Sequence, residues 1–375
     1  MKKTDGGVLA AKGFKAGTAT AGIKVAGGPD VALIWSEVPA HTAALFTQNS
    51  VVAAPVQLSQ TNCRDHNVRA IVVNSGNANC MTGAEGKQHA QQMAEDTAEL
   101  LGIQSGEVLV ASTGIIGKPL PINRVQSGIK AAFASQDDDV ATAIMTTDTH
   151  PKSVAYSCEI GDKTVTIGGC AKGSGMIEPN MATMLAFLTT DAAIEPELLD
   201  KALCEANRTT FNSITVDGSM STNDTVSLTA NGQAENPEIN DENEDYQTFV
   251  KTLHQVCLDL ALMIVRDGEG ATMLVTINVN GAADYNQAKQ IGYAVANSPL
   301  VKTAAHGKTA NWGRIAQAAG TLGLDITEDS LNVEVESSAD NALDITLTVQ
   351  LGSAEATVYT CDLSKEYVDI NVEYN

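Results

Sequence analysis

Residues 172–192 read KGSGMIEPNMATMLAFLTTDA. Two halves that should not sit together meet inside this stretch. Residues 172–182 are rich in Gly, Pro and small polar side chains, the composition of an irregular loop. Residues 183–190 form a short apolar run of strand length and composition. A loop with this many bend-permitting residues therefore ends abruptly on a threonine that opens a buried strand. Thr183 sits at that junction, and its reading governs both architecture and chemistry.

Outward from the junction, strand-like and helix-like runs are mixed. VRAIVVNSG (68–76) and EVLVAST (107–113) read as buried strands, with a helix over 86–102 between them. SVAYSCEI and KTVTIGGCA read as a hairpin closed by Gly161-Asp162. The clearest helix spans 246–265, where Tyr246, Phe249, Val250, Leu253, Val256, Cys257, Leu260 and Ile264 follow the 3–4 spacing of one buried face. The acidic segment before it, ENPEINDENEDY, reads as a solvated loop whose last acids suit a helix start. The last fifty residues alternate with period two in LNVEVES, LDITLTVQL, EATVYTCDL and YVDINVEY, predicting antiparallel strands with one face buried. Strands come in groups with helices between and after them, which predicts an α+β layered fold rather than a regular βαβ wind.

Composition bounds the function. The 375 residues suit two or three domains or one large α/β unit. Aromatics are only 4%, so the core is built from Ala, Val, Ile, Leu and Met, and a stacking platform for single-stranded nucleic acid is not expected. The net charge of −22, with no Lys/Arg stripe, repels phosphate backbones and anionic membranes, so neither nucleic acid nor membrane is expected as a partner. Seven cysteines (63, 80, 158, 170, 204, 257, 361) are odd in number and contain no CxxC, which favours reduced thiols over a disulfide framework or zinc knuckle. The segment MKKTDGGVLAAKGF lacks an apolar signal core, and no apolar run reaches spanning length, so a cytoplasmic location is expected.

A threonine hydroxyl is a weak nucleophile unless a base sits beside it. A threonine that becomes an N-terminus supplies its own base, because an α-amino group titrates at about 7.7–8.0. A lysine at about 10.4 would first need strong perturbation. Exposing that amine requires a cut between Ala182 and Thr183. Gly173, Gly175 and Pro179 let the loop hold the bond in a strained geometry. The hydroxyl then attacks the preceding carbonyl, and water hydrolyses the resulting ester. The plain alternative is an ordinary strand that happens to open on threonine.

Other motifs carry less. Gly307-Lys308-Thr309 echoes the end of a phosphate loop, but position 302 is Lys where a Gly is needed, and a helix-like stretch precedes it. The six histidines show no ligand-spaced pair. His150, beside Asp148, reads as a loop residue, and His254 lies next to the apolar face of its helix. No GxSxG elbow occurs, and Ser219 reads as a turn residue. No metal and no cofactor are expected.

Eight stretches together carry a resemblance. They are VNSGNANCMTG (73–83), STGIIGKPLP (112–121), MTTDTHPK (145–152), KGSGMIEPNMATMLAF (172–187), VRDGEGAT (265–272), NSPLVKTA (297–304), NWGRIAQAAG (311–320) and AEATVYTCDLSKEYVDINVEY (354–374). In order and over nearly the whole chain, the sequence resembles the ornithine acetyltransferase, or glutamate N-acetyltransferase, family of arginine biosynthesis. The resemblance implies two packed β-sheets flanked by helices (αββα-like) with a smaller C-terminal α/β portion. It implies self-cleavage into an α chain (1–182) and a β chain (183–375) that begins with the nucleophile Thr183 and ends in a substrate-closing segment, the pieces assembling as α2β2. The implied reaction is ping-pong: Thr183 takes acetyl from N2-acetyl-L-ornithine, and L-glutamate takes it from the acetyl-Thr ester. In some members acetyl-CoA also serves as donor.

Residue by residue, the resemblance places the oxyanion hole at the Thr113 hydroxyl and the Gly114 amide, and substrate contacts at Thr147, Lys172, Thr183, Glu269 and Asn371. The chemistry agrees: a substrate carboxylate suits a cation and hydroxyls, and the ornithine ammonium suits a carboxylate. Three departures stand out, one being HGKTANWGR, where the family usually has an acid before NWGR. Met273 follows DGEGAT where the family usually has Lys, and the family's hydroxyl residue five positions after Asn371 would fall beyond Asn375. A hydrolase of related fold, an N-terminal-nucleophile aminopeptidase or amidase, is the alternative; it would pass the acyl group to water.

Overall fold

The computed structural model describes residues 1–178, 184–309, 311–338 and 341–374. Two compact units share the chain. The first comprises Met1–Gly173, Asn180–Arg208 and Met220–Leu260, the second Ser174–Pro179, Thr209–Ser219 and Ala261–Asn375.

The strands of the first unit are β1 (Lys2–Thr4), β2 (Phe14–Ala19), β3 (Val31–Ser36), β4 (His41–Phe46), β5 (Ala70–Asn77), β6 (Val108–Ile115), β7 (Lys152–Ile160), β8 (Lys163–Lys172), β9 (Leu185–Thr190) and β10 (Thr225–Ala230). Its helices are α1 (Ala54–Asn62), α2 (Gly83–Leu101), α3 (Ile122–Ser135), α4 (Val140–Ala143), α5 (Pro196–Arg208) and most of α6 (Glu244–Arg266). The strands form a six-stranded sheet, β1-β7-β8-β9-β10-β4, and a four-stranded sheet, β2-β3-β5-β6.

Alternation along the strands explains the layering. Ile34, Ile71, Val73 and Leu109 of the small sheet share a core with Cys170, Leu185 and Phe187 of the large one. The intervening Leu33, Val72, Val108 and Val110 point the other way, onto Met93 and Ala94 of α2 and Val125 and Ile129 of α3. Burying each large side chain of this kind contributes about 2 kcal/mol. On the far face of the large sheet, α5 packs on β4 and β10, and Tyr156 of β7 donates to Asp259 of α6 at 2.7 Å. The result is the αββα sandwich that the resemblance implies. Strands enclosed on both faces, such as β3, β9 and β10, are buried at every residue, polar side chains of β10 included.

The runs at 68–76, 86–102, 107–113 and 246–265 correspond to β5, α2, β6 and α6. The hairpin of β7 and β8 turns at Gly161-Asp162 between the paired Ile160 and Lys163, with Gly161 at φ +59°. One expectation is revised. Helix α6 is long and apolar enough to cross a membrane by length and composition. One face of it, with Tyr246, Phe249, Leu253, Val256, Leu260 and Ile264, is nonetheless fully buried within the protein.

The second unit contains β11 (Leu274–Ala282), β12 (Leu331–Ser338), β13 (Ala342–Val349) and β14 (Ala354–Cys361), ordered β12-β13-β11-β14. Helices α7 (Tyr285–Ala296), α8 (Pro299–His306) and α9 (Trp312–Gly320) share its core, with Ile291, Val295, Val301 and Ile315 against Ile277, Ile345 and Val358. Two corrections follow. The C-terminal strands are not simply antiparallel, because β11 inserts between β13 and β14 and runs parallel to β13. The stretch YVDINVEY is not a strand but lies in α10 (Lys365–Glu373). Its valines, Val368 and Val372, stay exposed at 56% and 68%, so the alternation marks no buried face.

Candidate active site

In the first unit, β8 ends on Lys172, paired across the sheet with Leu185 of β9. In the facing sheet, β6 ends in Ser112-Thr113-Gly114-Ile115. The Lys172 ammonium spans the two sheets: it donates to Thr146 Oγ1 at 2.8 Å and to Thr113 Oγ1 at 3.5 Å. It lies 3.9 Å from the Asp148 carboxylate. Asp148 is buried and tied on both oxygens. Oδ1 accepts from Lys152 Nζ at 2.8 Å and from the Gly173 amide at 2.6 Å, and Oδ2 accepts from the Thr146 amide at 3.0 Å. Burial alone would raise this carboxyl, but Lys172, Lys152 and these hydrogen bonds prevail and hold it down at about 2.

The Thr113-Gly114 corner is fixed from behind. Asn223 Nδ2 donates to the Ser112 carbonyl at 2.9 Å and to the Ala78 carbonyl at 2.7 Å, and Ser112 Oγ donates to Asn74 Oδ1 at 2.6 Å. Gly114 has φ +129° and pairs with Gly76 of β5, and a Cβ there would overlap the Gly76 backbone. Only glycine fits such a close approach. A donor aimed at a developing oxyanion works best when it needs no rearrangement, and these buried bonds supply that rigidity.

Ala182 and Thr183 lie outside the described residues, as does Asn375. The next residue, Met184, is held at both backbone groups. Its amide donates to Asp224 Oδ1 at 2.8 Å, and its carbonyl accepts from the Thr225 amide at 3.1 Å.

A second cluster belongs to the second unit. Asn371 of α10 donates through Nδ2 to Glu269 Oε2 at 2.7 Å. The Glu269 amide donates to the Ser174 carbonyl at 2.8 Å, and a Cβ on Gly175 would overlap the Glu269 carboxylate. The following amides of Met176 and Ile177 both donate to the carboxylate of Asp217, at 2.6 and 3.0 Å. Tyr367, one turn before Asn371, donates to Asp217 at 3.3 Å. Burial, then the Asp217 and Glu269 charges, push its hydroxyl up to about 12.

Of the residues singled out in the sequence, the structure brings Thr113 to Lys172 and Glu269 to Asn371. Thr147 is half-buried, and its neighbour Thr146 accepts a 2.8 Å hydrogen bond from Lys172. Sequence reasoning missed Thr146, Asp148, Lys152, Asn74, Asn223, Asp217 and Tyr367. The signal that could have exposed the central pair is an Asp and a Lys four apart where a loop enters a buried strand. Met273 is buried immediately before β11, its amide donating to Asp362 at 2.8 Å. Two grooves, of about 290 Å³ beside Trp35 and about 470 Å³ beside Trp312, are lined by none of the residues named here for chemistry.

Comparison with known proteins yields a family and close relatives. Residues 15–375 match the model of the ArgJ family. The arginine biosynthesis bifunctional protein ArgJ of Geobacter sulfurreducens is 46% identical over 388 residues, covering 97% of this chain and 99% of its own. A crystal structure of the corresponding Bacillus halodurans protein is 38% identical, with a TM-score of 0.48, covering 51% of this chain and 100% of its own. The crystal structure of ornithine acetyltransferase complexed with ornithine from Mycobacterium tuberculosis is 35% identical, with a TM-score of 0.42, covering 47% of this chain and 95% of its own.

Proposed function

The chain belongs to the ArgJ family, and on that premise we propose how its own residues carry out acetyl transfer in arginine biosynthesis. Thr183 is the nucleophile. The chain cuts itself between Ala182 and Thr183, and the liberated α-amino group becomes the base. Its hydroxyl attacks the acetyl carbonyl of N2-acetyl-L-ornithine. The tetrahedral oxyanion accepts from the Thr113 hydroxyl and the Gly114 amide. Collapse expels ornithine, whose amine takes up the proton, and leaves acetyl-Thr183. The amine of L-glutamate then attacks the ester and leaves as N-acetylglutamate.

Lys172 receives the α-carboxylate that both amino acids carry, with Thr146 and Thr147 beside it. Glu269, held by Asn371, is the partner for the ornithine ammonium. The relatives' bifunctional name supports acetyl-CoA as a second donor. The α (1–182) and β (183–375) chains remain together as α2β2 in the cytoplasm.

The observation that supports this reading most is the 3.5 Å approach of Lys172 to Thr113. It joins the strand that leads into the junction loop with the strand that offers the oxyanion donors. The test is to incubate the protein with N-acetylornithine, with and without glutamate. Glutamate should accelerate ornithine release and emerge acetylated in equal amount, and a peptide carrying acetyl on Thr183 should appear by mass spectrometry. Release of acetate at a rate indifferent to glutamate would replace the transferase by a hydrolase.

A further inference from the structure

Two lysines converge on one buried carboxylate behind the end of β8, and the charge of a third reaches it. Lys152, on β7, donates to Asp148 at 2.8 Å, with side-chain exposures of 2% and 0%. Lys172 lies 3.9 Å from the same group. Lys24, on the loop after β2, donates to the carbonyls of Pro29 at 2.8 Å, Ala143 at 3.1 Å and Thr142 at 3.4 Å. Lys24 also lies within the fields of Asp30, Asp148, Lys172 and Asp139. Like charges gathered in a poorly solvated place favour loss of a proton from one of them. Asp148 is the carboxylate that Lys152 and Lys172 share.

Asp148 also acts through the backbone. It holds the Thr146 amide, whose side chain accepts the short bond from Lys172, and the Gly173 amide, the peptide immediately after Lys172. Lys172 is thus gripped from its side chain and from its own main chain by one residue.

We propose that Asp148 is a positioning residue for acetyl transfer: it faces the Lys172 ammonium alongside Lys152 and fixes it where a substrate carboxylate is received. The inference rests on the role proposed above for Lys172. It adds a residue that touches no substrate and acts through another.

The test compares the wild type with Asp148→Asn and with the double variant Asp148→Asn/Lys152→Met, which removes one carboxylate and one ammonium together. The readout is kcat/KM for N-acetylornithine against pH. In parallel, the Lys172 ammonium is titrated by 15N-lysine NMR, its signal assigned with Lys172→Arg. In Asp148→Asn, the basic limb and the Lys172 titration should both move down by at least about one pH unit. KM should rise about tenfold and kcat should stay within about threefold, the pattern of lost ground-state binding. In the double variant the titration should return towards the wild-type value while KM stays raised, because the grip on Thr146 and Gly173 is still absent.

An unmoved Lys172 titration in Asp148→Asn would overturn the proposal. So would wild-type KM in either variant, or a uniform loss of activity that merely follows the melting temperature. If Asp148→Asn does not fold, the double variant decides through its KM. If the wild type transfers no acetyl group, the reading of function fails separately, and the NMR titration still decides the role of Asp148.

Discussion

The two carboxylate clusters are built differently. Asp148 lies in the loop before β7, its oxygens tied to the amides of Thr146 and Gly173 and to Lys152 at the start of that strand. Glu269 lies in a turn after α6 and takes the side chain of Asn371, carried on a helix with no buried residue. The first arrangement resists movement, since shifting Asp148 would break bonds to several segments at once. The second depends on a helix that contributes little burial of its own. The first therefore suits chemistry that needs fixed geometry, and the second suits a contact made when substrate is present.

Four changes would break or sharpen that contrast, and the largest comes from the junction that leads into the rigid side. Thr183→Ala would remove the proposed nucleophile and base together, so transfer should fall by more than about 10³-fold and the chain should stay whole. A variant that still makes acetylglutamate at a comparable rate would remove the assignment.

Gly114→Ala comes next. Its Cβ would collide with the Gly76 backbone at a φ of +129°. We expect a kcat loss of about 10²-fold or more, with a stability loss of about 2 kcal/mol or more. A urea titration and single-turnover kinetics check both, and an unchanged kcat would place the oxyanion elsewhere.

Asn371→Ala should behave oppositely. KM should rise by about tenfold with kcat nearly kept, and stability should change by no more than about 1 kcal/mol. A large drop in melting temperature would show that the C-terminal helix is as integral as the sheets.

The smallest effect is in pH. The Asp148 carboxyl lies below its ordinary value of 3.8, at about 2. A carboxyl depressed by folding adds stability above its unfolded value and loses it as pH falls through the folded one. The stability gap between wild type and Asp148→Asn should be flat from pH 7 to 5 and close between about 4 and 2. A gap that narrows already near pH 6 would assign it to another group.

Periodicity made much of the fold legible. The residues of α6 repeat at 3–4 spacing, and β5 and β6 are enclosed on both faces. The stretch YVDINVEY misleads because Val368, Ile370 and Val372 alternate like a half-buried strand, whereas α10 leaves two of them open to solvent. The order of the last sheet was hidden for another reason, since β11 enters it from far along the chain. In the site, Lys172, Thr113, Glu269 and Asn371 were reachable through motifs. Asp148 and Lys152 were not, because their meaning comes from strand register. Lys152 pairs with Ala171, the residue before Lys172, and only that pairing sets two lysines against one carboxylate.

The central claim is that the polypeptide severs itself to make its own catalyst. N-terminal sequencing and intact mass of the purified, active protein test it most directly. A cut after residue 182 of 375 divides 39.1 kDa into pieces of roughly 19 and 20 kDa, and the second should begin Thr-Met-Leu-Ala-Phe. An unbroken chain that nevertheless turns N-acetylornithine and glutamate into N-acetylglutamate would contradict the account.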